Sequence, residues 1–213
     1  MSSNIEIPDF VTLIEPGQID AGVLVGYRTG RRDIPLELSI GAGANLRSGT
    51  VIYQGSTIGK GLETGHGVVI REQNLIGDDF AVWNNTVIDY GCRIGNNVKI
   101  HANSYVAQYT EIHDDVFMAP GVVIGNDIHP GCPQSGECMR GPIIEQGVQI
   151  GVNVTILPMI RIGARALIGS GAVVTRDVPP EMVVYGNPAR PVRSIHDLVC
   201  TQGFRDKPYE SSS

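Results

Sequence analysis

An aliphatic residue returns every six positions, from Ile40 through Leu46, Ile52 and Ile58 to Ile124, with Thr64 and Met118 the least typical of its 15 members. After one gap the beat resumes at Ile144 and holds for six positions to Val174. A strict spacing of six fits neither the 3.6-residue period of a helix nor the two-residue alternation of a hairpin array. Each hexapeptide is better read as one short strand plus one corner, and self-similarity at this period predicts a parallel β-helix. Gly often follows the beat (Gly41, Gly59, Gly65, Gly77), with a further Gly, Asn or Asp two residues later. Such residues tolerate the positive φ that sharp corners require. Small or branched residues four after the beat (Ala44, Thr50, Ser56, Val68) would fill the interior beside the aliphatic ones. Three hexapeptide sides close one triangular coil, so 21 beats predict about seven coils. At about 4.8 Å per layer the prism would be on the order of 30 Å tall.

Composition fits a thin all-β solenoid: 27 Gly and 13 Pro supply corners, and only 6% aromatic residues suit an interior of Ile and Val. A net charge of −6 argues against a broad nucleic-acid surface. No apolar run approaches the roughly 18 residues that span a bilayer, and the first residues show no charged-then-apolar leader, so a cytoplasmic protein without membrane contact is the expectation. Cys92, Cys132, Cys138 and Cys200 are too scattered for a secreted disulfide framework.

Residues 1–39, with Pro8, Pro16 and Pro35, read as an extended cap over the first coil, and residues 40–178 as the repeat itself. Caps protect the unpaired end of a solenoid from edge-to-edge association. At the far end Ser194 is a candidate N-cap for a short C-terminal helix through Ile195, Leu198 and Val199, followed by a frayed tail from Asp206 to Ser213.

Twenty residues separate Ile124 from Ile144 where six would keep phase, so 14 are extruded from one corner, within about 125–143. An ordered loop of this length tends to be retained for function. It concentrates Asn126, Asp127, His129, Cys132, Glu137 and Cys138. His129, Cys132 and Cys138 are of zinc-ligand type, but their spacing fits no standard site and no fourth ligand is evident, so no metal is expected.

The Ile-Gly repeats, the stretch from Ile168-Gly169-Ser170-Gly171 through Thr175-Arg176-Asp177-Val178-Pro179-Pro180, and the ending Gly186-Asn187-Pro188-Ala189-Arg190 resemble the hexapeptide-repeat acyltransferases over roughly residues 40–193. The likeness is nearest to the sugar and nucleotide-amino-sugar acetyltransferases. The resemblance implies a left-handed parallel β-helix, a homotrimer, and transfer of acetyl from acetyl-CoA to an amine or hydroxyl of a small acceptor, an amino sugar or nucleotide sugar first among them. It also implies that His129, followed by Pro130, is the general base. An acceptor must lose a proton to attack a thioester, and imidazole titrates near neutral pH. Asn126 and Asp127 resemble an Asn-Asp pair that holds the acceptor amine or orients the imidazole, though Asn-Asp equally suits an ordinary turn, and Asn103, in an earlier coil, lies near an acceptor-contacting position. Val152, Ser170, Thr175 and Arg176 match the coenzyme A groove, with Arg190 and Arg193 on a lip at 179–193. Cationic side chains there suit the phosphates of the donor.

Thr64-Gly65-His66-Gly67, Arg71-Glu72 and Trp83-Asn84-Asn85 lie in early coils and are candidates for surface, subunit contact or acceptor pocket. Two other functions fit the same solenoid. A carbonic anhydrase-like hydratase needs closely spaced histidines on facing subunits, but His101 and His113 stand two sides apart around the coil, where stacking on one side needs three. A non-catalytic scaffold has no use for the extruded loop.

Overall fold

The computed structural model describes residues 7–209, a three-sided parallel β-helix of three eight-stranded sheets. The first face carries Val11–Leu13, Leu38–Ile40, Thr57–Ile58, Leu75–Ile76, Arg93–Ile94, Glu111–Ile112, Ile143–Ile144 and Arg161–Ile162. The second runs from Glu63–Thr64 through Ala81–Val82, Lys99–Ile100, Phe117–Met118, Gln149–Ile150 and Leu167–Ile168 to Met182–Tyr185 and Arg190–Ser194. The third holds Leu24–Tyr27, Val51–Tyr53, Val69–Ile70, Val87–Ile88, Tyr105–Val106, Val123–Ile124, Thr155–Ile156 and Val173–Val174. Successive beats visit the first, second and third faces in turn, and strands of the regular repeat pair in parallel with the one a full coil further on, as Ile94 does with Ile112.

The beat residues form the core: Ile40, Ile52, Ile70, Ile88, Ile100 and Ile144 are fully buried. A second buried column stands four residues after each beat and includes Leu62, Asn74, Phe80, Cys92 and Ile160 besides the expected small residues. Most polar members of that column bond to corner backbone: Thr86 Oγ1 donates to the His101 carbonyl at 2.9 Å, and Asn74 Oδ1 accepts from Cys92 N at 2.7 Å, whereas the buried Ser104 hydroxyl has no partner among the described residues. At the paired positions this removes the cost of burying unpartnered polar atoms. Corners take positive φ three residues after the beat, by Gly at Gly67 and Gly121 and by Asn at Asn85, Asn97 and Asn103.

The eighth strand of the first and third faces comes from the segment before Leu38, which is itself a coil, whereas the second face reaches eight through the Met182–Tyr185 and Arg190–Ser194 hairpin. Val11 pairs with Leu38, Ile19 with Leu46 and Leu24 with Val51, in each case one and a half coil-lengths along the chain instead of one. The surplus half-length forms a strap between Tyr27 and Leu38 at the third-to-first corner. Residues 1–6 and 210–213, parts of the expected cap and frayed tail, lie outside the described residues. At the other end the 179–193 segment folds back, with Met182–Tyr185 antiparallel to Arg190–Ser194. The expected C-terminal helix is one 3₁₀ turn, Ile195–Asp197. Ser194 and Asp197 cap it reciprocally, and Leu198 is already extended, so the turn does not propagate.

Candidate active site

The extra residues of the broken beat leave the third-to-first corner between Val123–Ile124 and Ile143–Ile144. The neck is closed by Arg140 N donating to the Asn126 carbonyl at 2.9 Å, and Asn126 Nδ2 is anchored on Gln108 Oε1 one turn below at 2.6 Å. Gly141 passes so close to that turn that a Cβ would stand 2.4 Å from Thr110 N. The corners just below and above hold Tyr109 and Met159 at φ 63° and 61°. For side chains of this bulk that conformation costs about 1–3 kcal/mol.

Within the loop, Asp127 Oδ1 accepts from His129 N at 2.9 Å and Oδ2 accepts from Ser135 Oγ at 2.5 Å. The Ser135 hydroxyl first, and then the His129 N–H, hold the Asp127 carboxyl below its ordinary range. Asp127 thus fixes the turn that presents His129, whose side chain is exposed. Cys132 N closes the following turn on the His129 carbonyl at 3.0 Å, ahead of a one-turn helix, Ser135–Cys138. Among the described residues no group of three or more His, Cys, Asp or Glu side chains is arranged to hold a metal ion.

The sequence-predicted residues divide between two edges of the prism, which border the third face. The third-to-first edge carries Asn126, Asp127, His129, Thr175 and Arg176. The second-to-third edge carries Asn103, Val152 and Ser170, with Ser170 Oγ accepting from Val152 N one turn away at 3.1 Å. At the carboxyl end Arg176 and Arg190 line a common depression of about 150 Å³ with Val178 and Ala189. Arg193 lies on the neighbouring hairpin strand. Among the described residues Arg176, Arg190 and Arg193 have no carboxylate partner, so their charge is available to an anion. The early histidines do not converge: His66 and His101 are on the second-to-third edge, while His113 is on the first-to-second corner, 2.9 Å from Glu111.

One feature escaped the sequence reading, and a second was flagged only as the early-coil pair Arg71-Glu72. The outward side chains of the third face form one register column, Leu24, Val51, Val69, Val87, Tyr105, Val123, Thr155 and Val173. The corresponding columns on the other faces are broken by charge, at Arg93, Glu111 and Arg161 on the first and at Glu63 and Lys99 on the second. The signal was a branched or aromatic residue just before every third beat, a coil-length period hidden inside the period of six. The second feature lies below the loop on the same edge. The Glu72 carboxylate, with no exposed surface, meets Arg71 at 3.0 Å, Arg31 of the strap at 3.2 Å and Thr29 at 3.1 Å. The Arg31 guanidinium also lies 3.7 Å over the Tyr90 ring.

The chain matches the family described as bacterial transferase hexapeptide (six repeats) over residues 75–108, 91–126 and 141–176. It is 38% identical to the galactoside O-acetyltransferase of Escherichia coli over 130 residues, 55% of this chain and 64% of that protein. It is 33% identical over 155 residues to a Saccharomyces cerevisiae protein that carries an acetyltransferase name, covering 68% of this chain and 78% of the relative. The chain spans between about half and two-thirds of the length of the first curated relatives it matches. A solved UDP-N-acetylglucosamine acyltransferase of Bacteroides fragilis superposes with a TM-score of 0.65 at 19% identity, over 89% of this chain and 74% of that one. The shared architecture is the left-handed parallel β-helix. No helix among the described residues is long and apolar enough to cross a membrane.

Proposed function

Because the chain belongs to the hexapeptide-repeat transferases, we propose that it moves an acetyl group from acetyl-CoA to an amine or hydroxyl of a small acceptor, with an amino sugar or nucleotide sugar as the first candidate. The observation that carries this reading is the extruded corner, where a neck anchored on Gln108 and a turn built by Asp127 present an exposed His129 at one border of an apolar sheet face. In the proposed reaction the acceptor nitrogen or oxygen attacks the thioester carbonyl carbon as the His129 imidazole takes its proton. The tetrahedral oxyanion is stabilised by backbone N–H groups near the corner. It collapses with cleavage of the carbon–sulfur bond, and the imidazolium returns the proton to the departing thiolate, so the base is regenerated each cycle. Asn126 and Asp127 shape the acceptor side, with Asn103 facing them from a neighbouring copy. Arg176, Arg190 and Arg193 bind the donor phosphates.

The distribution of residues over two edges supports a site completed by a second copy. If three copies turn their apolar third faces to a common axis, each third-to-first edge meets the second-to-third edge of the next copy. His129 and Arg176 of one subunit then stand opposite the Val152–Ser170 edge of its neighbour, in a closed cyclic trimer. The test is release of free coenzyme A thiol from acetyl-CoA with a panel of amino sugars, nucleotide amino sugars and galactosides. Turnover that depends on one acceptor and falls about 10²–10⁴-fold in His129→Ala agrees with the reading. Undiminished turnover in that variant removes His129 from the base role, and no release with any acceptor removes the acetyltransferase assignment.

A further inference from the structure

Trp83, the chain's single tryptophan, stands on the second-to-third edge with its ring stacked on that of His101 at 4.6 Å and 11° between planes. His101 in turn leans on Phe117 at 5.1 Å. One indole face is therefore spent on the stack above. One turn below Trp83 is Gly65, where even a Cβ would collide with Asn84, so position 65 offers no side chain to cover the other face. In its place is a cavity of about 500 Å³ walled by Trp83, Gly65, Asn45, Arg47, Glu63 and His66. That volume lies within the usual range of roughly 300–1,000 Å³ for small-molecule sites.

The walls also hold uncommitted polar groups. Asn45 spends its Oδ1 on Gln18 N at 2.9 Å and keeps its amide hydrogens. The Glu63 carboxylate has no hydrogen-bond or ion-pair partner among the described residues. His66 is held through Nδ1 by Ser48 Oγ at 2.8 Å, which leaves the opposite ring nitrogen toward solvent. A flat π-face beside a carboxylate and an amide matches a pyranose, whose polarised C–H face is attracted by the negative ring face while its rim hydroxyls need paired acceptors and donors. A nucleobase would be better served by a slot between two rings, and here the second ring already fills the far side of Trp83.

We propose that this cavity is a carbohydrate subsite that lays one sugar ring on Trp83 over Gly65, with its hydroxyls on Glu63 and Asn45. It lies two turns below the layer of the extruded loop, about 10 Å along the prism axis. It therefore holds a non-reacting ring of the acceptor, a role that rests on the acyltransferase reading; the binding itself does not. Remote contacts of this kind contribute binding energy that positions the reacting end.

The experiment uses the intact protein without acyl donor, so failure of sugar binding and failure of acyl transfer are read separately. Methyl glycosides of N-acetylglucosamine and galactose, and uridine as the nucleoside control, are titrated while Trp83 emission is followed. A saturable change with a glycoside at about 1–10 mM is expected. Weakening by about tenfold or more in Glu63→Gln and in Asn45→Ala, each checked for native circular dichroism, completes the expected result. No saturable response to either glycoside, an unaltered response in both variants, or saturation by uridine alone overturns the proposal.

Discussion

Replacing Glu72 by Gln removes one negative charge that two guanidiniums share and leaves the shape of the site intact. The carboxylate is wholly buried, whereas the Arg31 and Arg71 side chains keep 36% and 30% of their surface exposed. Breaking a buried pair by removing one partner costs about 3–5 kcal/mol when the other charge is stranded. Here both arginines can turn toward water, and Arg71 retains Asp89 at 3.3 Å, so the expected loss is about 2–3 kcal/mol. Burial alone would raise the Glu72 pKa, but its own backbone N–H, Arg71 and Arg31 outweigh burial and hold it below its ordinary value of 4.5. A depressed carboxylate stabilises the fold above its unfolded pKa, and that contribution is lost as the pH falls through the folded value. Denaturant unfolding of wild type and Glu72→Gln at fixed protein concentration should therefore show the full difference at pH 7 and a shrinking one below about pH 4.5. A double-mutant cycle with Arg31→Ala should show coupling, because Arg31 reaches Glu72 from the strap. Stability of Glu72→Gln within about 0.5 kcal/mol of wild type at pH 7 would refute the reasoning.

Other perturbations probe the remaining links. Val87→Asp puts a carboxylate into the centre of the apolar column, and analytical ultracentrifugation should show the proposed trimer reduced to monomer. Gly141→Ala forces the loop neck off the Thr110 backbone, so turnover should fall at least about tenfold while the melting temperature moves by only a few degrees, since the loop lies outside the core. Burial pushes the Cys92 thiol up to about 12; a thiol reagent at neutral pH should leave Cys92 unmodified in the native protein, by peptide mass mapping, and modify it after unfolding.

Much of this architecture was legible because each hexapeptide must bury one residue and turn one corner, which forces Ile40, Ile52 and Ile88 into fixed phase. The extruded loop was visible for the same reason, as a loss of phase between Ile124 and Ile144. The amino-terminal coil was hidden: the strap inserts an extra half coil-length between Tyr27 and Leu38, so Val11 and Leu24 find their partners out of step with the beat. The apolar third face was hidden differently, because the residue before each beat alternates among three environments and only sampling once per coil separates Val69, Val87 and Val123 from Arg93 and Lys99. Asp127 shows how one residue type serves two readings: Asn-Asp suits a turn as well as an acceptor contact, and both carboxylate oxygens are engaged in building the turn before His129. The opposing position of Trp83 and Gly65 joins residues one coil apart through the cavity between them, and neither motif alone signals it.

The central claim is that the reactive centre is shared between the loop edge of one subunit and the Val152–Ser170 edge of the next. Complementation tests it directly. His129→Ala removes the base on one edge, and Ser170→Tyr blocks the other edge, where Ser170 is exposed. Each variant alone should be nearly inactive. Unfolded and refolded together in equal amounts, they should regain about one quarter of wild-type turnover, the fraction of interfaces in a random cyclic trimer that pair an intact His129 with an intact Ser170 edge. Activity of the mixture no greater than the mean of the two variants would contradict a shared site.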